Sequence, residues 1–502
     1  MLVVAACGGI VAEFRTLFGQ DAGVAMLVLF MAMKLLELRR RRDAYVVITL
    51  AYFLLLTHYF YSQSILTGWW LLTALILITA TLVRLHGGPA SGPGASLRYA
   101  VTMTLQAMPL MLLLYLLFPR IAGPLWGLPQ DAHTGPSGLS EHMAPGSIAN
   151  LVRNPEIAFR VHFAAPPPPQ DKLYWRGPVM EAYDGITWRT RPGVGATASI
   201  VPAAAPTDYD ITLEAHHQRW LLALDAPVTL PPETRRSGNL AVLAREPVTV
   251  RQRLHFASVL DYRFNVDESP QVLQLNRYHP PRRNPRSQAL AESWRRAEAD
   301  PERLVERALA FFRDEAFVYT LQPPLLGEHP VDDFLFGSRH GFCEHYAAAF
   351  VVLMRFAGVP ARVVAGYQGG ELNPVDGYLV VRQSDAHAWA EVWLAGRGWV
   401  RVDPTAAVSP ARVEAGIGAA MPAGEALPAL LRVDAEWLRG LRFRWEALNN
   451  SWNQYVLGYN PQRQRELFSR LGLPDPVYTV MTAVLTSGNA SDEHSLQALR
   501  GL

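Results

Sequence analysis

The chain has 502 residues, of which half are hydrophobic and 18% are charged, and its formal net charge is +2. A chain of this length is expected to hold two or three domains. The near-neutral charge gives no reason to expect a nucleic-acid partner, and the sequence has no Gly-rich loop of the kind that cradles phosphates. The apolar excess is concentrated before Pro119.

Four apolar runs in the first part of the chain have the length of membrane spans: residues 22–38, 45–61, 65–83 and 99–118. Each run of 17 to 20 residues crosses a hydrocarbon core of about 30 Å at about 1.5 Å per residue. Buried globular helices are the alternative, which four such runs with Tyr and Trp near their ends disfavour. Residues 2–12 are apolar but too short to span, and we expect them to be the stump of an earlier helix.

Arginines predict the orientation of these spans. Residues 39–42 are four consecutive arginines between the first two runs, and Arg84 and Arg98 bracket the loop between the third and fourth. Basic loops stay in the cytoplasm. The lipid bilayer is therefore an expected partner of residues 1–118, and everything after Pro119 is expected outside the cytoplasm.

The next part of the chain, residues 119–287, predicts an antiparallel β domain. Residues 158–163 alternate apolar and polar side chains, as do residues 248–256. Residues 174–188 read as two aromatic-rich strands around an Asp184-Gly185 turn.

Residues 288–412 contain the segments that predict chemistry, after a helical stretch at 288–322. Gly341 precedes a predicted helix that begins near Cys343 and ends at residues 358–360. A thiol in the first turn faces the positive end of the helix dipole, so we expect its pKa to be lowered and its backbone N–H to stabilise an oxyanion. The alternative is a buried structural cysteine, and Cys7 is no convincing disulfide partner because it lies in the apolar N-terminal stretch.

Two alternating segments follow, and they predict a β-hairpin that holds His387 and Asp403 on neighbouring strands. A thiol, an imidazole and a carboxylate in this order can form a nucleophile, its base and the group that orients the base. However, a simple short turn pairs Leu394 with Trp399 and places Asp403 opposite Ala390. A β-bulge or a shifted register is needed to align it with His387.

A zinc site formed by His340, Cys343 and His345 is a further alternative. On a helix, residues 343 and 345 point about 200° apart, and no paired Cys-x-x-Cys or His-Glu-x-x-His spacing supports it. We expect neither a metal nor another cofactor, and no carboxylate-rich loop suggests calcium.

The last part, residues 413–502, predicts a linker and an amphipathic helix with an uncertain tail. Its apolar residues repeat at steps of three and four: Leu438, Leu441, Trp445, Leu448, Trp452, Tyr455 and Tyr459. Packing of this stripe against the protein or the membrane surface is the main interpretation, and a dimerising coiled coil is the alternative. Residues 477–486 form a further apolar run that is too short to cross.

Four sequence blocks, in one order, resemble the transglutaminase-like core of the papain-like cysteine enzymes. They are Gly-Phe-Cys-Glu-His-Tyr-Ala at 341–347, Ala-Gly-Val-Pro-Ala-Arg-Val-Val-Ala-Gly-Tyr at 357–367, Ser-Asp-Ala-His-Ala-Trp-Ala-Glu-Val-Trp at 384–393 and Gly-Trp-Val-Arg-Val-Asp-Pro-Thr at 398–405. The basic stretch 34–43, with residues 174–177 and 183–188, is similar to the bacterial membrane-anchored TgpA-like transglutaminases. That family has several N-terminal spans, a periplasmic catalytic domain and a late further span. We expect this sequence to depart from the family at its ends, with the first spans missing or cut and the late span absent.

The resemblance implies N-terminal transmembrane helices followed by an α+β part, in which a helix carrying Cys343 packs on an antiparallel sheet carrying His387 and Asp403. It implies a multi-pass protein of the bacterial inner membrane with a periplasmic acyltransferase domain. Its Cys-His-Asp triad would form a thioester from a Gln-type amide of a protein or peptide, resolved by an amine or by water. Tyr319 and Trp389 are tentative oxyanion or substrate-shaping residues.

Two other functions stay open at this point. The same triad suits a cysteine peptidase or amidase that hydrolyses cell-envelope peptides, and a catalytically inactive envelope scaffold is the third possibility. The sequence leaves the oligomeric state open.

Overall fold

The structure is a computed structural model that describes residues 2–14, 19–59, 61–87, 92–117, 138–191, 198–420, 436–459, 461–470 and 472. The chain divides into two compact units. The helical unit comprises residues 1–134 and 445–502, and the sheet unit comprises residues 135–444. The predicted run at 477–486 and the end of the fourth apolar run at residue 118 lie outside the described residues.

The helical unit begins with five helices, and each of the four predicted apolar runs is helical. They are α1 (Leu2–Phe14), α2 (Gln20–Leu36), α3 (Arg41–His58), α4 (Ile65–Gly87) and α5 (Pro93–Leu117). Within the described ranges, α4 and α5 are long and apolar enough to cross a membrane. The candidate stump at residues 2–12 forms α1.

The sheet unit contains twenty short strands among its described residues. They are β1 (His142–Met143), β2 (Ile157–Phe163), β3 (Tyr174–Tyr183), β4 (Trp188–Thr190), β5 (Ile200–Pro202), β6 (Thr207–Leu213), β7 (Trp220–Leu221), β8 (Ala223–Leu224), β9 (Ala226–Thr229), β10 (Thr234–Arg236), β11 (Val242–Ala244), β12 (Gln252–Val259), β13 (Tyr262–Phe264), β14 (Val318–Tyr319), β15 (His340–Gly341), β16 (Ala361–Gln368), β17 (Glu371–Leu372), β18 (Leu379–Arg382), β19 (Ala386–Leu394) and β20 (Gly398–Val402). β2 and β3 agree with the predicted strands, and β12 begins four residues later than predicted.

The main sheet has the order β1-β4-β3-β16-β19-β20-β13-β5, with β8 also on β3. A second sheet runs β17-β18-β2-β6-β12-β9. Both sheets therefore combine strands from residues 138–287 with strands from residues 361–402. The predicted domain boundary at 287 stays a prediction, and the sheets run across it because β16 pairs with β3 on one edge and β19 on the other.

Short helices surround the sheets and connect them. They are α6 (Ser147–Val152), α7 (Pro270–Leu275), α8 (Pro285–Ala297), α9 (Pro301–Asp314), α10 (Pro330–Asp332), α11 (Cys343–Phe356), α12 (Pro404–Val408), α13 (Pro410–Glu414), α14 (Ile417–Ala420), α15 (Glu436–Ser451) and, in the helical unit, α16 (Pro461–Arg470). α11 packs on β19 and β16, and nearly all of its residues are buried. The core of the sheet unit therefore lies between this helix and the main sheet.

The β3–β4 hairpin shows why local sequence specifies this part of the fold. Asp184 accepts hydrogen bonds from the Ile186 and Thr187 amides through its side chain. Gly185 has φ +108°, a conformation that favours glycine. The predicted Asp184-Gly185 turn is therefore confirmed, and it brings Tyr183 and Trp188 into a stacked pair.

Candidate active site

Cys343 is the first residue of α11, as the sequence predicted. The strand before it, β15, pairs in parallel with β14, so that Tyr319 lies beside Gly341. A Cβ at Gly341 would come within 2.5 Å of the Phe334 ring, so a glycine is required for the chain to enter the helix here. The Cys343 side chain is fully buried.

His387 and Asp403 meet because the register of the hairpin is shifted by one residue from the simple turn. Leu394 pairs with Gly398 instead of Trp399, and Ala390 pairs with Val402. Because side chains alternate between the faces of a strand, this one-residue shift puts Asp403 on the same face as His387. No bulge interrupts the described β19–β20 pairing, so the shifted register alone removes the predicted misalignment.

Asp403 leaves the sheet directly after β20 and caps α12. Its Oδ1 accepts a hydrogen bond from the Thr405 amide at 3.0 Å. Its Oδ2 lies 2.7 Å from His387 Nε2 and accepts a hydrogen bond from the Tyr174 hydroxyl at 2.8 Å. These contacts fix the carboxylate in one orientation toward the imidazole.

The second nitrogen of His387, Nδ1, is buried and has no hydrogen-bond partner among the described residues. Because Nε2 is occupied by Asp403, Nδ1 is the nitrogen available to exchange a proton. The next residue in β19, Ala388, donates its backbone N–H to the Cys343 sulfur. The thiol therefore lies at the beginning of the strand that carries His387.

Full burial raises the pKa of the Cys343 thiol, so the predicted lowering of this pKa is wrong. Arg412 and the Ala388 amide favour the thiolate, whereas Glu344 and Asp403 oppose it. A helix terminus contributes about 0.3–1 kcal/mol, but burial can shift a pKa by about 3–5 units, each equivalent to about 1.4 kcal/mol. Desolvation therefore prevails over the helix dipole.

Burial also lowers the pKa of His387, although the nearby Asp403 opposes that shift. For Asp403, burial alone would raise the pKa, but its contacts with His387 and Tyr174 hold the pKa below its usual range. The resting site at neutral pH therefore contains a neutral thiol, a neutral imidazole and an ionised carboxylate.

Tyr319 lies beside the thiol, and its ring stacks on Phe342 with centroids 5.0 Å apart. Its hydroxyl is buried and has no hydrogen-bond partner of normal geometry in the described part of the chain. Burial, followed by the charge on Cys343, raises the pKa of Tyr319 well above its usual value, while Arg412 opposes that shift. Tyr319 is thus a neutral O–H donor at the site.

Trp389 lies in a buried cluster with Tyr174, Val364 and Val413, and its role in shaping the substrate site stays a prediction. Its ring also explains a glycine on the neighbouring strand. Gly366 pairs with His387, and a Cβ there would come within 2.7 Å of the Trp389 ring and 2.1 Å of the Trp175 carbonyl oxygen.

The sequence interpretation missed Arg412, which lies in α13 and is fully buried. Its Nη1 donates to Gln368 Oε1 at 2.8 Å, and its Nη2 donates to the carbonyls of Asp385 and Ala386 at 3.2 and 3.3 Å. Its Nε has no partner among the described residues. Its charge acts on Cys343, and the only sequence signal was a single arginine nine residues after Asp403.

The side chains of the zinc alternative are engaged elsewhere. His345 Nδ1 accepts a hydrogen bond from the Phe342 amide at 3.2 Å, and His340 Nδ1 contacts the Ser338 carbonyl oxygen. Across the residues that the structure describes, no three His, Cys, Asp or Glu side chains are grouped to hold a metal ion.

Comparison with known proteins identifies the family. Residues 1–265 match the family described as TgpA N-terminal domain, and residues 288–404 match the transglutaminase-like superfamily. A Pseudomonas aeruginosa protein named protein-glutamine gamma-glutamyltransferase is 42% identical over 482 residues, which cover 93% of this chain and 71% of that protein. The chain belongs to the TgpA family.

Solved structures agree with this assignment to the TgpA family. The crystal structure of the periplasmic domain of TgpA from Pseudomonas aeruginosa matches with a TM-score of 0.55 and 44% identity, covering 57% of this chain and 99% of that one. Among sequences, a Bacillus subtilis protein, YebA, is 31% identical over 183 residues, covering 34% of this chain and 24% of that protein. This member of the TgpA family is thus a transglutaminase-like enzyme with two candidate apolar helices before a sheet-rich domain.

Proposed function

We propose that this chain is a membrane-anchored protein-glutamine acyltransferase that works through a Cys343-His387-Asp403 triad. The observation that carries the proposal is the 2.7 Å contact between His387 Nε2 and Asp403 Oδ2, which leaves Nδ1 without a hydrogen-bond partner among the described residues. The name of the Pseudomonas relative supports a glutamine side chain as the acyl donor.

In the first half of the reaction, the Cys343 sulfur attacks the carboxamide carbon of a glutamine side chain. His387 Nδ1 accepts the thiol proton as the C–S bond forms, and Asp403 stabilises the imidazolium. The backbone N–H of Cys343 and the Tyr319 hydroxyl donate to the developing oxyanion. The C–N bond then breaks, His387 returns its proton to the leaving nitrogen, and ammonia and a thioester result.

In the second half, a primary amine attacks the thioester carbon. His387 Nδ1 takes a proton from the amine, the C–S bond breaks, and the sulfur receives that proton back as the thiol re-forms. The product is a secondary amide at the glutamine side chain. Water in place of the amine would give a glutamate side chain by the same steps.

Arg412 has a supporting role in this proposal. A buried thiol is hard to ionise, and the neighbouring carboxylates of Glu344 and Asp403 make ionisation harder. The fully buried Arg412 guanidinium favours the negative charge on Cys343. It also holds the carbonyls of Asp385 and Ala386, which directly precede His387.

The finer topology belongs to the same proposal. We infer four spans, α2 to α5, in the bacterial inner membrane, with the arginine loops in the cytoplasm and the sheet unit in the periplasm. The helices α4 and α5, which are long and apolar enough to cross a membrane, support this topology. A reporter enzyme that is active only outside the cytoplasm should be active when it is fused after residue 130. An inactive fusion that is expressed at the same level would contradict the orientation.

The test of function is incorporation of a labelled primary amine into a glutamine-containing protein by the purified full chain. We expect incorporation and ammonia release by the wild type, and neither by Cys343→Ala. Ammonia release without incorporation, even at high amine concentration, would replace the acyltransferase with an amidase. Full activity of Cys343→Ala would remove the triad altogether.

A further inference from the structure

Near the end of the described chain, a helix exposes apolar side chains and buries polar ones. Helix α15 continues into a π-helical turn at Trp452–Leu457. Three apolar side chains on the part of this segment in the helical unit are exposed and form the exposed stripe: Trp445, Leu448 and Tyr455. On the opposite face the buried side chains include the polar residues Glu446, Asn450 and Gln454.

This arrangement is opposite to that of a helix on a water-facing surface, which buries its apolar side chains. Trp445, Leu448 and Tyr455 are 38%, 52% and 69% exposed. They recur at helical spacing along one line, at about 1.5 Å per residue. A continuous apolar line of this kind marks a surface that another apolar phase covers.

Hydrogen bonds inside the helical unit show where this segment lies relative to α4 and α5. Trp452 Nε1 donates to the Gln63 carbonyl oxygen at 3.0 Å, just before α4 begins. The Tyr115 hydroxyl, near the end of α5, donates to the Tyr455 and Val456 carbonyls at 2.8 Å each. The segment therefore lies where the start of α4 and the end of α5 meet, at one end of both candidate spans.

Aromatic residues mark this end of the spans as the membrane interface. Tyr61, Trp69 and Trp70 are exposed there, and Tyr and Trp concentrate at the level of lipid headgroups. The exposed stripe adds a tryptophan and a tyrosine of the same helical unit.

We propose that the exposed stripe lies on the bilayer surface at the outer ends of α4 and α5, with its apolar side chains among the upper acyl chains of the lipid. The stripe is thus a lipid-contact site separate from the spans. It would attach the segment that follows the catalytic domain to the membrane independently of catalysis.

The test uses the full chain reconstituted in nanodiscs of phosphatidylcholine and phosphatidylglycerol, with ordinary or brominated acyl chains. Bromine quenches tryptophan fluorescence on contact, so the signal lost in brominated lipid reports the lipid-facing tryptophans. We expect Trp445→Phe to lower this quenched signal. The matched control is Trp294→Phe, since Trp294 is buried in α8 of the sheet unit, and it should leave the quenched signal unchanged.

A rescue variant keeps the result interpretable. Adding Leu448→Trp to Trp445→Phe moves the indole about one helical turn along the exposed stripe, and the quenched signal should return. If Trp445→Phe leaves the quenched signal intact, or if Leu448→Trp does not restore it, protein covers the stripe instead of lipid. Either outcome overturns the proposal, and amine incorporation by the same samples shows separately whether the catalytic unit is intact.

Discussion

The two ends of strand β19 hold buried polar clusters that differ in one respect. At one end, the two Glu391 carboxylate oxygens are paired with Arg176 and Arg362. At the other end, on the same face, His387 contacts Asp403. Both anions are buried beside a partner, and both clusters hold a buried arginine.

The difference lies in the atoms that are left over. Around His387, three buried atoms lack a hydrogen bond of normal geometry in the described structure: His387 Nδ1, the Tyr319 hydroxyl and Arg412 Nε. Tyr319 and Arg412 still lie near enough for Arg412 to lower the pKa of Tyr319. Both Glu391 oxygens, in contrast, have cationic partners, which lower the pKa of Glu391 to about 2 despite the opposing effect of burial. Arg362 Nη2 lacks a hydrogen bond of normal geometry, but it lies 2.8 Å from a Glu391 oxygen. Carboxylate oxygens that are both paired stabilise the fold, whereas spare donors and acceptors beside the thiol have capacity for a substrate.

The largest expected effects come from removing one side chain from each of the two clusters on β19. We expect His387→Ala to lower amine incorporation by at least about 10⁴-fold with little change in thermal unfolding. Glu391→Ala should instead lower the free energy of unfolding by about 3–5 kcal/mol, because it takes the carboxylate from two buried arginines and leaves Arg176 without an anionic partner, while Arg362 keeps Glu181. Activity assays and thermal melts of both variants test this contrast.

The comparison between the two ends is wrong if the two variants show the opposite effects on activity and stability. A severe loss of folding in His387→Ala, with retained activity per folded molecule, would make His387 structural. Glu391→Gln serves as the milder control, since one amide oxygen still accepts from an arginine.

The next effect concerns the orientation of the imidazole. Asp403→Asn should lower kcat by about 10²- to 10⁴-fold, because an amide cannot stabilise the imidazolium as the carboxylate does. Tyr174→Phe removes only one of the hydrogen bonds to Asp403 Oδ2, worth about 1.5–3 kcal/mol to a charged group. Its loss of kcat should therefore be smaller, and equal losses in the two variants would contradict the assigned order.

A smaller effect is expected at Arg412. Arg412→Gln removes the buried positive charge, and we expect the apparent pKa of the Cys343 thiol to rise further and kcat to fall by about 10-fold or more. Arg412→Lys keeps the charge and should recover part of the loss. The measurement is the rate of thiol alkylation as a function of pH, and unchanged profiles in both variants would leave Arg412 a packing residue only.

The smallest expected effect tests the protonation states of Cys343 and His387 in the wild type. Because burial raises the pKa of Cys343 and lowers that of His387, alkylation by iodoacetamide should increase steadily above pH 8, as the thiol ionises. A thiolate–imidazolium pair would instead alkylate readily on a plateau near pH 5–8. Amine incorporation should persist below pH 6.5, the ordinary histidine value, because His387 stays neutral there.

Several features were predictable because they depend on local sequence. The helix that starts at Cys343 follows from Gly341 and the buried face of α11, and the β3–β4 turn follows from Asp184 and Gly185. The register of the β19–β20 hairpin was not predictable, because Gly398, with φ +78°, lets the turn close one residue earlier than the simplest pairing.

Burial at the site also escaped prediction. The helix dipole at Cys343 is visible in the sequence, but the desolvation that outweighs it depends on every element packed around the thiol. Arg412 gave no motif, since its relation to the thiol exists only after α13 folds against β16 and β19. Tyr174 lay in a recognised block, but its contact with Asp403 joins residues 229 positions apart.

The amino-acid sequence by itself determined the order of the nucleophile, base and carboxylate, the apolar helices and the family, because these depend on residue type, spacing and local periodicity. Only the tertiary structure decided which face Asp403 shares with His387, how strongly the thiol is desolvated and which cation lies beside it. These depend on distances between segments far apart in the chain, and electrostatic energies and solvent exclusion are set by such distances.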